Sequence, residues 1–297
     1  MSYSIGIDLG GTNIKAVAVS EGGEVLAQAN APTSARDGAA AVASNVAREL
    51  ASLETEVGRP ASAVGMAAPG LVARDGRSMA SISGHLESIE GFDWAEYLSG
   101  RAPALLNDAN AALLGEVWRG AAAGARDAVL LTLGTGVGGA VLTGGRLLRG
   151  HLGRAGHLGH MCLDVDAPRD SLGIPGTLEE AIGNRTLPGR SEGRFDSTEK
   201  LVAAYLAGDE EAARVWLRSV FHLACAVTNI INAFDPEVVI VGGGIARAGR
   251  ALFDPLEGYL DGMEWRPGGH RVRVEPAALG DIAGALGAAR NAMGRRA

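Results

Sequence analysis

The sequence predicts an α/β protein of two related lobes, each a mixed β-sheet flanked by helices. Two observations carry that reading. An apolar run, a Gly/Thr turn and a second apolar run span Ile5 to Val19, and the pattern returns loosely from Val129 to Leu142. After each copy the patterning passes from strand to helix and back, as in a mixed sheet covered by helices.

Each hairpin carries glycines at its turn, which allow positive φ and keep side chains out of the way of a closely approaching ligand. Beyond the first hairpin, Val25 to Ala31 reads as a third strand and Ala39 to Val57 as a helix rich in Ala, Leu and Glu. Ala63 to Ala68 is a short apolar strand ended by the turn signal Pro69-Gly70. Ala104 to Leu106 is another strand, running through Asn107-Asp108 into a helix from Asn110 to Trp118. Residues Gly150 to Arg194 are irregular, a length that points to function inside a compact domain. Helical spacing resumes from Thr198 to Phe234, Val238 to Val241 reads as a buried strand, and Gly242-Gly243-Gly244 follows it. Arg271 to Val274 is the last strand and Gly284 to Met293 the closing helix. The lobes are therefore placed at 1–118, with 284–297 crossing back to join it, and at 119–283, with a hinge near Glu116 to Gly124.

Composition removes several classes. Across 297 residues, 27 basic and 34 acidic side chains give a net charge of −7 without a basic block, so nucleic acid is not an expected partner. No apolar stretch approaches a membrane span, and the first residues lack the basic and apolar regions of a signal peptide. The two cysteines, Cys162 and Cys225, cannot form a disulfide framework and suit a reducing, cytoplasmic setting. Cys162 is expected to be a small buried hydrophobe.

The turn from Asp8 to Lys15 resembles the first phosphate loop of the sugar kinase/actin/heat-shock ATPase superfamily. Gly10, Gly11 and Thr12 can offer amides and a hydroxyl to phosphate oxygens. Asp8 can hold Mg²⁺ through water, and Lys15 can screen phosphate charge. An ordinary Gly-rich hairpin reads the same way once. A second copy at Gly134-Thr135-Gly136 favours a nucleotide phosphate chain held by both turns. Asp108 fits either a helix N-cap or the carboxylate that takes a proton from an attacking hydroxyl. Asn107 can hydrogen-bond sugar hydroxyls.

In order, the chain carries DLGGTNIKAVAV, AAPGLV, LNDANAALLGE, LTLGTGVGGAVLTGG, GHLGH and IVGGG. Together these resemble the ROK family (repressors, open reading frames and kinases) over essentially the whole chain. The resemblance implies an actin-like ATPase (ribonuclease H-like) fold, a homodimer, and ATP- and Mg²⁺-dependent phosphorylation of a hexose at its 6-hydroxyl, with the sugar between the lobes. It makes Asp108 the catalytic base, puts Gly70, Asn107 and His160 on the sugar side, and Gly242, Gly243 and Gly244 on the adenosine side. Regulatory members carry an N-terminal DNA-binding module; here the first hairpin starts at once, so a repressor is not expected.

Two departures stand out. Many members have Glu-x-Gly-His where this chain has His157-Leu158-Gly159-His160. An imidazole is a weaker acceptor than a carboxylate and can also donate. That substitution opens the alternatives of an N-acyl hexosamine (N-acetylglucosamine or N-acetylmannosamine), fructose or allose as acceptor. Members often also carry a Cys-x-Cys-Gly-x-x-Gly-Cys-x-Glu zinc loop. Here Asp170, Leu172 and Thr177 stand at the cysteine positions with Glu179 retained, so no structural zinc is expected and packing, Pro175 and hydrogen bonds should hold the loop. A metal cluster of His157, His160, Asp164 and Asp166 is the weaker reading. Phe92 and Trp94 fall near a family sugar segment but read better as packing; His85 could reach the substrate. His151, His222 and His270 show no partner pattern. The competing class is a non-catalytic sugar or nucleotide sensor with the same fold. Polyphosphate as donor stays open.

Overall fold

The computed structural model describes residues 2–82 and 86–294; His85 lies outside them. The chain forms two compact units, residues 1–124, 147–155 and 278–297 in one, and 125–146 and 156–277 in the other.

In the first unit, β1 (Tyr3–Leu9), β2 (Asn13–Ser20) and β3 (Val25–Pro32) form an antiparallel meander. Helix α1 (Ala39–Val57) leads to β4 (Ala63–Ala68), parallel to β1. A small ribbon of β5 (Leu71–Val72) and β6 (Met79–Ser81) and a short α2 (Trp94–Tyr97) precede β7 (Ala104–Asn107), parallel to β4, and α3 (Asp108–Arg119). The sheet order is β3-β2-β1-β4-β7. One face buries Ile5, Ile7 and Met66 with Val42, Val46, Leu50 and Leu53 of α1. The last helix, α9 (Ala283–Gly294), covers Val17 and Val19. Its Gly/Ala composition follows from backbone-to-backbone packing. A methyl on Gly6 would lie 1.8 Å from the Ala285 carbonyl oxygen, and one on Gly65 1.9 Å from that of Ala288. Larger residues there would push α9 off the sheet.

In the second unit, β8 (Ala128–Leu133) and β9 (Val137–Thr143) make the second hairpin, with β10 (Arg146–Leu147) beyond them. Short helices α4 (Leu178–Ile182) and α5 (Leu187–Arg190) lead to α6 (Thr198–Leu206) and α7 (Glu210–Phe234). Strand β11 (Val238–Gly242), helix α8 (Arg250–Met263) and β12 (Arg273–Pro276) finish it. The order is β10-β9-β8-β11-β12, with β11 parallel to both β8 and β12. Both sheets thus join an outer trio of strands to two parallel ones in the same succession. The doubling read from the hairpins extends to whole sheets.

The structure differs from the sequence reading in three places. The chain remains with the first unit through Gly124, not 118, and returns to it over 147–155, where Leu147 packs on the cluster of Leu106 and Ala111. The segment proposed as a hinge is clamped. Fully buried Glu116 accepts amide hydrogens from Ala121, Ala278 and Leu279 at 2.7, 3.1 and 2.9 Å, tying 116–121 to the entry of α9. Finally, α7 is long and apolar enough by length and composition to cross a membrane. Its buried stripe (Val215, Trp216, Val220, Leu223, Val227, Ile230) is instead core, while Glu210, Glu211, Arg214 and Arg218 mark its other side.

Candidate active site

The first turn joins Leu9 to Ile14, the last pair of its hairpin. One backbone bond closes it, from the Gly10 amide to the Asn13 carbonyl at 3.0 Å. Thr33, fully buried after β3, braces it by donating its hydroxyl to the Gly10 carbonyl at 2.6 Å and its amide to the Thr12 carbonyl at 2.8 Å. The amides of Gly11 and Thr12 donate to nothing among the described residues, so the turn presents them outward.

One pair back, Asp8 faces Lys15 across the two strands. A methyl on Gly284 would lie 2.6 Å from the Asp8 carboxylate, so α9 must be bare there to admit it. Burial, and then the nearby Asp108, push the Asp8 carboxyl up to about 7, against the lowering pull of Lys15. Lys15 itself lies 3.6 Å from Asp281. Two crowded carboxylates short of positive charge suit a hard divalent cation, and Mg²⁺ takes few protein ligands beside water and phosphate.

Asn107 settles the ambiguity at the next motif. It is the N-cap of α3: its Oδ1 accepts from the Ala109 and Asn110 amides at 3.0 and 3.2 Å. Asp108, one residue on, is therefore not the cap. Its Oδ1 accepts from the Ala109 amide at 2.8 Å and from Asn107 Nδ2 at 2.9 Å. The same Nδ2 donates to the Gly70 carbonyl at 3.1 Å. Gly70 sits at φ +98°, and a methyl there would meet the Ser81 carbonyl oxygen at 2.1 Å, so only glycine fits. Gly70, Asn107 and Asp108 thus form one bonded unit. A cavity of about 190 Å³ adjoins it, lined by Asn107, Asn110, Arg74 and His151. Asn110, unremarked in the sequence, has a buried Oδ1 with no hydrogen-bond partner among the described residues. His151 has Arg74 Nη2 within 3.0 Å of both ring nitrogens.

The second turn joins Leu133 to Val137 and is closed by a bond from the Gly134 amide to the Gly136 carbonyl at 2.9 Å. Its braces come from far along the chain. The Gly134 and Thr135 carbonyls accept from the Asn184 and Arg185 amides at 2.9 and 3.0 Å. Glu179 Oε2 accepts from the Val137 amide at 2.9 Å, and its Oε1 holds Arg185 at 2.6 Å. The amides of Thr135 and Gly136 make no bond among the described residues. Gly243, at φ +87°, lies against Leu133, where a methyl would meet the carbonyl oxygen at 2.3 Å; Gly242 is paired in β11 with Thr132. Gly244 faces open space. The structure therefore needs Gly243 for packing behind the turn, and leaves only Gly244 an open approach.

The GHLGH segment lies on β9 through its glycines: a methyl on Gly159 would be 2.1 Å from the Val137 carbonyl oxygen. That places both His157 and His160 beside the second hairpin. His160 Nδ1 is buried, 3.6 Å from Asp170 Oδ2, beyond hydrogen-bond reach. Asp170 organises the loop standing where relatives carry cysteines. Its Oδ1 accepts from the Leu172 and Ile174 amides at 2.8 and 2.9 Å, and these bonds together with His160 outweigh burial to hold its carboxyl below the usual range. Thr177 is buried and caps α4, and Leu172 is exposed. Cys162 is exposed, not buried as the sequence suggested: its backbone bridges to buried Thr177, but its own side chain is left in solvent. Among the described residues no group of three His, Cys, Asp or Glu side chains could hold a metal. Trp94 is fully buried in the first core with Phe92 packed on it at 5.0 Å, which supports the packing role.

A model of the ROK family matches residues 4–294. The chain belongs to the ROK family. It is 37% identical to a glucokinase of Thermotoga maritima over 96% of this chain and 95% of that one. It is 31% identical to an N-acetylmannosamine kinase of Escherichia fergusonii over 99% of each. The crystal structure of a ROK hexokinase from Thermus thermophilus superposes with a TM-score of 0.87 at 33% identity, covering 99% of both chains. That of a ROK glucokinase from Streptomyces griseus with glucose and AMPPNP gives 0.77 at 29%, covering 99% of this chain and 100% of that one. This ROK protein has the actin-like ATPase fold of those kinases.

Proposed function

We propose that this ROK protein transfers the γ-phosphoryl group of ATP to the 6-hydroxyl of a hexose. It is a sugar kinase. The observation that carries the reading is the bonded unit of Gly70, Asn107 and Asp108. Because Asn107 takes over capping, the Asp108 carboxylate is set at the start of α3 as a base for the acceptor hydroxyl. The outward amides of Gly11, Thr12, Thr135 and Gly136 bind phosphate oxygens, with Gly10 and Gly134 closing the two turns; of the adenosine-side run Gly242, Gly243 and Gly244, the open Gly244 makes the approach while Gly242 and Gly243 pack behind it. Asp8 would hold Mg²⁺ through water, with Lys15 nearby; the ion supplies neutralisation of phosphate charge. Gly70, Asn107, His157 and His160 make the sugar side, and Asp108 accepts the proton as the hydroxyl attacks. The setting is cytoplasmic and the assembly a homodimer, without nucleic acid or membrane as partner.

A second acceptor has a specific observation behind it. His157 replaces an acidic side chain on the sugar side, and an N-acetylmannosamine kinase is among the relatives at 31% identity. A coupled ADP-release assay over glucose, mannose, fructose, allose, N-acetylglucosamine and N-acetylmannosamine separates the two. Turnover on glucose well above the N-acyl sugars supports the first reading, and the reverse supports the second. Release of ADP with none of them, alongside intact AMPPNP binding, would leave a sensor.

A further inference from the structure

A cavity of about 620 Å³ in the second unit has none of the residues of the second glycine turn in its lining. It is enclosed by α4, α5, the face of α7 and the loop around Asp164, and its lining is basic: Arg185, Arg190, Arg214 and Arg218 against Asp164 and Glu180. Two of those arginines are neutralised, Arg214 by Glu211 and Arg185 by Glu179 and Glu180. The other two are not. Arg218 is exposed and makes no ion pair among the described residues. Arg190 is half-buried, and its guanidinium meets only neutral acceptors: Thr186 Oγ1 at 3.3 Å, Ser219 Oγ at 2.6 Å and the Gly183 carbonyl at 2.8 Å. A guanidinium carries five N–H donors, so Arg190 keeps donors in hand. Burial lowers it to about 10 against the raising pull of Glu180, so it remains charged at neutral pH. Glu180, on the same cavity wall, compensates that charge only at longer range without an ion pair, and an anion from solution would add to the compensation.

We infer that this cavity is a binding site for a small phosphate-bearing anion, held by Arg190 and Arg218, and that its occupancy is felt at the second phosphate turn. The coupling route is short. Arg190 holds the Gly183 carbonyl, and the next two amides, of Asn184 and Arg185, hold the Gly134 and Thr135 carbonyls of the turn. Arg185 also shares Glu179 with the Val137 amide. An anion that draws on the Arg190 donors therefore pulls on the strap behind the turn. Arginine forks suit a phosphate better than a lone carboxylate. The shared chemistry is that of free phosphate and of a phosphate monoester.

The test is calorimetric titration of the intact protein, saturated with AMPPNP so that the nucleotide site is filled. The probes are inorganic phosphate and glycerol 3-phosphate. Saturable binding, weakened about tenfold or more in Arg218→Glu, the scale of one charge-assisted hydrogen bond, supports the site. Tighter binding of the ester than of phosphate marks a metabolite as the natural ligand, and equal binding marks free phosphate. Arg190→Lys should weaken binding as well. Should that variant fail to fold, Arg218→Glu decides alone, since its side chain is exposed. By reciprocity the probe must also shift AMPPNP affinity in the unmodified protein and not in Arg218→Glu. The absence of saturable binding, or equal binding by both proteins, overturns the site. An unchanged AMPPNP affinity overturns the coupling. A change of subunit count in Arg218→Glu without any phosphate binding would assign the arginines to a second copy of the chain.

Discussion

The two glycine turns end equivalent hairpins but are built differently. The first is braced locally, by Thr33 at the end of the adjacent strand, and carries charge one pair back in Asp8 and Lys15. The second is braced by Glu179, Asn184 and Arg185, more than forty residues downstream, and the equivalent pair is the neutral Thr132 and Gly138. Each presents two amides, so in the proposed function both turns would contact phosphate, while the proposed cation handling would belong to the first. Support for the second turn comes instead from the irregular segment that also carries His157 and His160. In the proposed function, the phosphate contact of that turn is thereby tied to the segment that carries His157 in place of the expected glutamate.

Changing Asp8 should show the largest asymmetry. Asp8→Asn is expected to lower kcat by about a thousandfold, on the scale of lost charge stabilisation. The same change should stabilise the unliganded protein. The folded-state carboxyl titrates near 7 and the unfolded one near 3.8. The folded state thus holds the extra proton between those values, and stability falls as pH rises through the window. Thermal melts at pH 5 and 8 should show that fall in the unmodified protein and a smaller one in Asp8→Asn, whose gain at pH 8 should be about 1–3 kcal/mol. No comparable effect should follow from Thr132→Val at the matching position of the second turn.

The remote brace comes next. Glu179→Ala strands the Val137 amide and releases Arg185, and should raise the KM for ATP by about tenfold while costing about 1–3 kcal/mol in chemical denaturation. Asp170→Ala should cost about 1–2 kcal/mol, through the Leu172 and Ile174 amides, and raise the KM for sugar more than that for ATP. The smallest effect is the local brace: Thr33→Val removes one hydroxyl bond, worth about 1 kcal/mol, with a few-fold rise in the KM for ATP.

The same contrast explains what could be read beforehand. The first unit obeys local rules, and helix Ala39–Val57 and strand Ala63–Ala68 fall at their anticipated ends. Asn107 could have been chosen as cap over Asp108 only by knowing where β7 ends, since either residue type caps a helix. The loop from Met161 to Leu178 is held by backbone bonds such as Leu163 to Gly176 and Leu178 to Met161, which leave no periodic trace. The signal that was available there is Asp170 followed by Gly173 and Pro175, a side chain folding a turn onto itself. Glu116 stands at the start of the segment read as a hinge, and two of its three amide partners, Ala278 and Leu279, lie too far along the chain to leave a local pattern. Helix α8 was unread because Pro255 sits inside it.

The most direct test is Asp108→Asn with the preferred sugar. It keeps the size of the side chain, and the amide oxygen can still accept from Ala109 and Asn107. Turnover should fall by about 10²–10⁴-fold, the usual contribution of a positioned base, while calorimetric affinities for AMPPNP and for the sugar stay within a few-fold of the unmodified protein. Turnover within a few-fold of the unmodified protein would contradict the assignment of Asp108 as the base.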